Sequence, residues 1–245
     1  MFDGARPPGM DPLRTLVVVP TYDERENIVP LARAILQAVP EAKVLVVDDA
    51  SPDGTGEAVR ALSREEPRVF LHARPGKLGL GTAYLTGLDQ AMRDGFEAVV
   101  TMDADFSHDP SHLPALLGGL RDRDLMIGSR YVPGGGIRNW GLHRRFLSAG
   151  ANLLSRLLLR IPARDITSGY RAYRSEALRR VHLASIRSSG YAFLEEVLLA
   201  CHRAGLRIGE TPTVFVDRRA GRSKISGGEI LAGARNLFRL AWKRG

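Results

Sequence analysis

Ala98-Val99-Val100-Thr101-Met102-Asp103-Ala104-Asp105-Phe106-Ser107-His108-Asp109-Pro110 is the stretch on which the fold turns. An apolar run rich in β-branched residues stops at two carboxylates one residue apart, and Asp109-Pro110 closes the segment as a turn before an expected helix. A run without polar alternation suits a strand covered on both faces, as in a parallel sheet. Ligands of open α/β sheets gather at the carboxyl ends of such strands, where Asp103 and Asp105 fall. In extended backbone, residues two apart point the same way, so both carboxylates can address one point. Two hard anionic oxygens at one point suit Mg²⁺ or Mn²⁺, with water and phosphate oxygens completing the shell. Alone, a D-x-D triplet is as readily a pair of solvated loop aspartates, so its meaning depends on the rest of the chain.

Upstream, the same grammar repeats. Leu16-Val17-Val18-Val19-Pro20 predicts a first strand, followed by Thr21-Tyr22-Asp23-Glu24 and an amphipathic helix to about residue 38. Val44-Leu45-Val46-Val47-Asp48-Asp49 predicts a second strand ending in acids, and Ala50-Ser51-Pro52-Asp53-Gly54-Thr55 a turn into a helix. Val69-Phe70-Leu71 predicts a third strand and Leu125–Ile127 a fifth. Strands alternating with helices at this spacing imply an α/β fold with a Rossmann-like, mostly parallel sheet flanked by helices. Downstream, the predicted elements are a helix over His143–Arg160, a short helix near Ser175–Val181, a helix from about Phe193 to Ala204, a strand over Thr213–Asp217 and a final amphipathic helix.

Composition narrows the classes. At 245 residues the chain suits one α/β domain. Its single cysteine, Cys201, excludes an internal disulfide and a cysteine-based zinc site, and its apolar neighbours mark a buried helical thiol. No signal peptide is expected in the proline-interrupted first residues, and no segment reaches the about 18–20 apolar residues a bilayer span needs. The net charge of +8 divides into −7 over residues 1–124 and +15 over residues 125–245. The basic half calls for an anionic partner, whereas the acidic half would repel a nucleic acid. No basic–aromatic stacking motif of single-strand binders is present, so nucleic acid is not an expected partner.

Gly79-Leu80-Gly81 is not a dinucleotide fingerprint, because the third glycine is missing, nor a Walker A loop, because Lys77 precedes the glycines. A tight turn and an anion cradle at a helix start both fit it.

Several stretches together carry a resemblance: Pro20–Glu24, Val47–Thr55, Lys77–Ala83, Met102–His108, Gly128-Ser129-Arg130-Tyr131, Asp165–Arg171 and Ser223-Lys224. In order and spacing they resemble family 2 glycosyltransferases, and within them the dolichol-phosphate (polyprenol-phosphate) mannose synthases, over about residues 14–240. The resemblance implies a GT-A fold, a GDP-mannose donor, a polyprenyl or dolichyl phosphate acceptor and inversion at the sugar carbon. Carried over by position, Pro20, Tyr22, Glu24, Val47 and Asp49 hold the nucleoside, and Asp103 and Asp105 hold the metal and, with Ala104, line the donor site. Ser107 stands where some relatives have a glutamine that reaches the metal. Arg130, Arg218 and Lys224 contact donor diphosphate or acceptor phosphate, and Asp105, Arg130 and Lys224 are the expected catalytic residues.

The expected organisation is a tail over residues 1–13, a GT-A domain over 14–228, and a basic amphipathic helix over 229–245. That last helix carries the stripe Ile230, Leu231, Ala234, Leu237, Phe238, Ala241 and Trp242 beside Arg235, Arg239, Lys243 and Arg244. It fits a core-packed helix and one lying in a bilayer interface equally, as does His143–Arg160. The expected place is the cytoplasmic face of a membrane, reached directly or through a separate membrane-anchoring subunit. Rival readings are a transferase using a UDP-sugar such as UDP-glucose, and a non-catalytic nucleotide- or lipid-phosphate-binding subunit.

Overall fold

Strands that are apolar on both sides need cover on both sides, and the chain supplies it by alternating strand with helix. The computed structural model describes residues 13–188, 190, 192–216, 236, 237 and 239–242. The first half holds β1 (Thr15–Thr21), α1 (Arg25–Ala38), β2 (Lys43–Asp48), α2 (Thr55–Glu65), β3 (Val69–Ala73), α3 (Leu80–Arg93) and β4 (Ala98–Thr101). Next come α4 (Leu113–Gly118), β5 (Leu125–Ser129), β6 (Gly136–Arg138) and α5 (Leu142–Leu159). Then follow β7 (Arg171–Arg174), α6 (Ser175–Leu178), α7 (Ala192–Arg203), β8 (Ile208–Pro212) and β9 (Val214–Val216).

Among the described residues, a seven-stranded sheet runs in the order β3-β2-β1-β4-β7-β5-β8. All neighbours are parallel except β7, which lies antiparallel between β4 and β5. A separate parallel ladder joins β6 to β9. The pleat sorts the core: Leu16 and Val18 face a layer with Tyr84 and Leu88 of α3, while Val17 and Val19 face Ile28, Leu31 and Ile35 of α1.

One close approach fixes α3 over β1. A Cβ built on Gly87 would lie 2.2 Å from Val18 Cγ1. Alanine in a helix interior gains about 1 kcal/mol over glycine, but a clash with a fully buried β-branched neighbour costs roughly 1–3 kcal/mol. We therefore expect Gly87→Ala to lower the urea midpoint despite its better helix propensity. A midpoint at or above that of the unaltered chain would show that α3 has room to move.

Three strands, β6, β7 and β8, are absent from the sequence reading, and the last strand predicted at 213–217 is the short β9 outside the main sheet. The predicted helices over 143–160 and 193–204 are α5 and α7 within a residue at each end. Of the final helix, Leu237 and Leu240 are buried and Trp242 is exposed; the rest of its stripe lies outside the described residues, apart from half-buried Ala241.

Candidate active site

The sheet order reverses at β1, whose two neighbours are β2 and β4, so a crevice opens beyond the carboxyl ends of these three strands. Three residues adopt left-handed backbone just past those ends: Asp23 (φ 56°), Ala50 (φ 54°) and Phe106 (φ 59°). Non-glycine residues held there store backbone strain, a cost usually concentrated at functional sites.

At the first end, Tyr22 and Glu24 are half-buried, and Pro20 lies buried in β1. The Glu24 carboxylate accepts from Asn27 Nδ2 at 2.8 Å, and its backbone N–H donates to Thr55 Oγ1 at 3.0 Å. Lys77 Nζ stands 3.8 Å over the Tyr22 ring, which draws the glycine-rich loop across this corner.

At the second end, the adjacent acids have different work. Asp48 is structural: it accepts from Thr21 Oγ1 at 2.8 Å and from the Ser51 N–H at 3.0 Å. Asp49 faces the 74–79 loop, accepting from the Gly79 N–H at 2.8 Å and pairing with buried Arg74. Val47 is fully buried, its side chain in the core and its backbone between β1 and β3.

At the third end stands the D-x-D pair. Asp103 is half-buried; its Oδ1 accepts from Tyr84 O–H at 2.7 Å, and its backbone N–H donates to His108 Nδ1 at 3.0 Å. Asp105 is buried and accepts from the Ser107 N–H at 3.1 Å, while Ala104 packs beneath. Burial pushes the Tyr84 phenol well above its usual pKa, with Asp103 adding to the shift, so it stays a neutral donor. Burial pushes His108 below its usual value, against the pull of Asp103 and Asp105, which keeps Nδ1 an acceptor.

These groups suit a divalent ion of the Mg²⁺ and Mn²⁺ type. Asp103 and Asp105 offer hard oxygens, and buried Ser107 Oγ has no hydrogen-bond partner among the described residues. Among the described residues no group of three or more His, Cys, Asp or Glu is placed to hold a metal. A two-carboxylate site leaves most of the shell to water and phosphate oxygens, the usual arrangement for Mg²⁺.

Arg130, at the end of β5, is gripped by Asp165. Its Nε and Nη2 donate to the two carboxylate oxygens at 2.8 and 2.7 Å, its backbone N–H donates at 2.9 Å, and Nη2 also reaches Thr167 Oγ1 at 2.7 Å. The guanidinium lies 5.3 Å over Tyr131 and 5.6 Å over Phe215. Glu210 of β8 holds the backbone under Asp165, accepting from Arg164 N–H at 2.8 Å and Asp165 N–H at 2.9 Å. Arg218 and Lys224 lie outside the described residues.

Beside this bracket, α5 is inside out. Phe146, Leu147, Leu153, Leu154 and Leu157 are between 44% and 74% exposed, whereas Asn152 and Ser155 are buried. Asn152 Oδ1 accepts from the Ile166 N–H at 2.9 Å, Ser155 Oγ donates to Glu195 at 2.7 Å, and Ser148 meets Tyr131 O–H at 3.2 Å. Among the described residues no helix is long and apolar enough to cross a membrane.

The sequence reading missed Tyr84, His108, Arg74 and the partners of Arg130. His108 had a visible signal in its place five residues after Asp103; Tyr84 and Arg74 act through contacts across the fold and had none. Cys201 is buried, its thiol pushed up to about 12 by burial, which leaves it inert as a nucleophile.

A mixed, mostly parallel sheet with paired carboxylates at its reversal point is the GT-A type of glycosyltransferase fold. The chain belongs to glycosyl transferase family 2, whose family model matches residues 16–181. It is 44% identical over 227 residues to an undecaprenyl-phosphate mannosyltransferase of Micrococcus luteus, covering 93% of each chain. It is 46% identical over 219 residues to a polyprenol monophosphomannose synthase of Mycolicibacterium smegmatis, covering 89% of this chain and 83% of that one. Its fold resembles glucosyl-3-phosphoglycerate synthase of Mycobacterium tuberculosis, solved with Mn²⁺, UDP and glucosyl-3-phosphoglycerate. The TM-score is 0.67 at 21% identity, over 95% of this chain and 80% of that one.

Proposed function

We propose that this chain transfers mannose from GDP-mannose to a polyprenyl (dolichyl-type) monophosphate, with inversion, giving polyprenyl phosphate β-mannose. The observation that carries this reading is the neighbourhood of two unlike features: a carboxylate-edged crevice and, beside Arg130, a helix with its apolar face outward. A nucleotide sugar and a lipid phosphate would need those two surfaces side by side. The names of the relatives at 44% and 46% identity agree with it.

In this scheme an acceptor phosphate oxygen forms the bond to the anomeric carbon as the bond to GDP breaks, and GDP departs with the electron pair. A phosphate monoester has its second pKa near about 6, so at neutral pH most of it is already a dianion and needs no strong base. The reaction can therefore dispense with a Ser-His-Asp or Cys-His constellation. A bound Mg²⁺ or Mn²⁺ would supply charge stabilisation on the departing diphosphate. Asp103 and Asp105 would hold it, with Ser107 Oγ as a further oxygen donor. Pro20, Tyr22, Glu24, Val47 and Asp49 would form the nucleoside corner, and Ala104 would line the sugar subsite. Arg130, kept aligned by Asp165, and Arg218 and Lys224 would offset the repulsion between two anionic reactants. Competition of GDP against UDP for the unaltered chain tests the donor: tighter UDP binding would move the assignment to a UDP-sugar.

In the same reading the protein is peripheral at the cytoplasmic face of a membrane, with α5 lying in the lipid interface; a separate anchoring subunit would strengthen that attachment. Burying a Phe or Leu side chain is worth roughly 1.5–3 kcal/mol, and about 1.4 kcal/mol is tenfold in binding. We expect Phe146→Glu with Leu157→Glu to weaken binding to anionic vesicles at least about tenfold while leaving GDP affinity unchanged. Equal partitioning of variant and unaltered chain would remove α5 from the membrane.

A further inference from the structure

We infer that His108 is a positioning residue for the carboxylate pair: its Nδ1 holds the backbone amide of Asp103 and so sets where that carboxylate stands. The inference rests on the metal role proposed for Asp103 and Asp105.

The need for such a group follows from where the sheet stops. Met102 N–H still donates to Val18 O at 3.2 Å on the β1 side. Successive amides of a strand point to opposite sides, so the next one faces the β7 side, where the pairing of β4 with β7 ends at Thr101 and Arg171. Asp103 N–H lies past the last rung of the ladder, and a buried amide there requires another acceptor. The chain provides one by turning back on itself. Phe106 takes left-handed backbone, Ser107 N–H caps the Asp105 carboxylate at 3.1 Å, and the His108 ring returns to Asp103 at 3.0 Å. Because Nδ1 accepts, the proton sits on Nε2, the neutral tautomer that can serve here.

The ring is itself held fast. It stacks on Tyr170 with centroids 4.9 Å apart and planes 13° from parallel, and meets the edge of Phe215 at 5.9 Å. Tyr170 is anchored in turn by its O–H on the Asp109 carbonyl at 3.1 Å. Asp103 is therefore clamped twice, at its carboxylate by Tyr84 and at its amide by His108. Groups behind a metal ligand that fix its orientation commonly govern affinity by about 10–100-fold.

Two variants of the full chain separate this role from packing. His108→Phe keeps a ring on Tyr170 but deletes the acceptor. His108→Asn loses the ring but places Oδ1 close to where Nδ1 stood. Mn²⁺ affinity of the GDP-loaded protein is read by the electron paramagnetic resonance signal of free Mn²⁺. We expect His108→Phe to bind Mn²⁺ about 10–100-fold more weakly and His108→Asn to recover most of that loss, although melting temperatures fall in the opposite order. Unchanged affinity in the Phe variant, or an Asn variant as weak as Phe, would overturn the inference alone. An unaltered chain that binds no Mn²⁺ would overturn it together with the metal reading, so the two failures are distinguishable.

Discussion

Asp105→Ala should lower mannosyl transfer by about a thousandfold or more while the protein stays folded. The reasoning starts from charge. A diphosphate leaving an anomeric carbon gains negative charge in the transition state, and the residues that hold a neutralising cation act mainly there. A loss of several kcal/mol at about 1.4 kcal/mol per tenfold gives a factor of this size. Asp105 sits at the reversal point of the sheet, buried, and caps the Ser107 N–H among its contacts. Losing a hydrogen bond to a charged carboxylate costs about 1.5–3 kcal/mol of stability, which a folded domain with about 5–15 kcal/mol in hand can bear, so the loss of activity should exceed what unfolding explains. Asp105→Asn, which keeps the shape but not the charge, should be nearly as inactive. Transfer within a fewfold of normal in either variant, measured at saturating Mg²⁺, would show that this carboxylate does not serve a metal.

The second large effect is on stability. Asp165→Ala should cost roughly 3–5 kcal/mol, the range seen when one member of a buried ion pair is removed. In the Arg130–Asp165 pair the side chains are only 9% and 0% exposed, so solvent cannot take over the guanidinium. At about 2–4 °C per kcal/mol for a chain of this size, the melting temperature should fall by about 6–20 °C. The double variant Asp165→Ala with Arg130→Leu should regain part of that stability, because no buried charge is left behind, yet remain inactive. A single variant that melts with the unaltered protein would mean that Arg130 is already satisfied elsewhere.

Much of this was readable from residue order. β1, β2 and β4 are apolar runs that end in an acid or within two residues of one, and the structure pairs them in parallel with those ends on one edge. β7 was hidden because Arg171-Ala172-Tyr173-Arg174 begins and ends in arginine. The structure buries Arg171 completely, and its two terminal nitrogens donate to the carbonyls of Leu194 at 2.8 Å and Ile166 at 2.7 Å, contacts made by other segments of the chain. β8 was hidden for a different reason: Ile208-Gly209-Glu210-Thr211-Pro212 lies on the sheet edge, where neither apolar continuity nor alternation is demanded.

The site divides along the same line. Asp103 and Asp105 were legible because their position at a strand end carries the meaning. Arg130 was legible as a cation, but its bidentate attachment to Asp165 was not, since the partners are 35 residues apart. The apolar residues of α5 were visible as a stripe, yet only the fold shows them facing outward with Asn152 and Ser155 beneath.

The central claim meets its most direct test in one assay: labelled mannose carried from GDP-mannose to a short polyprenyl phosphate, with Mg²⁺ and then with EDTA. The account predicts an organic-extractable mannosyl product that forms with Mg²⁺ and disappears with EDTA. A chain that binds GDP-mannose and the vesicle-borne acceptor yet forms no such product, or forms it equally in EDTA, would contradict it.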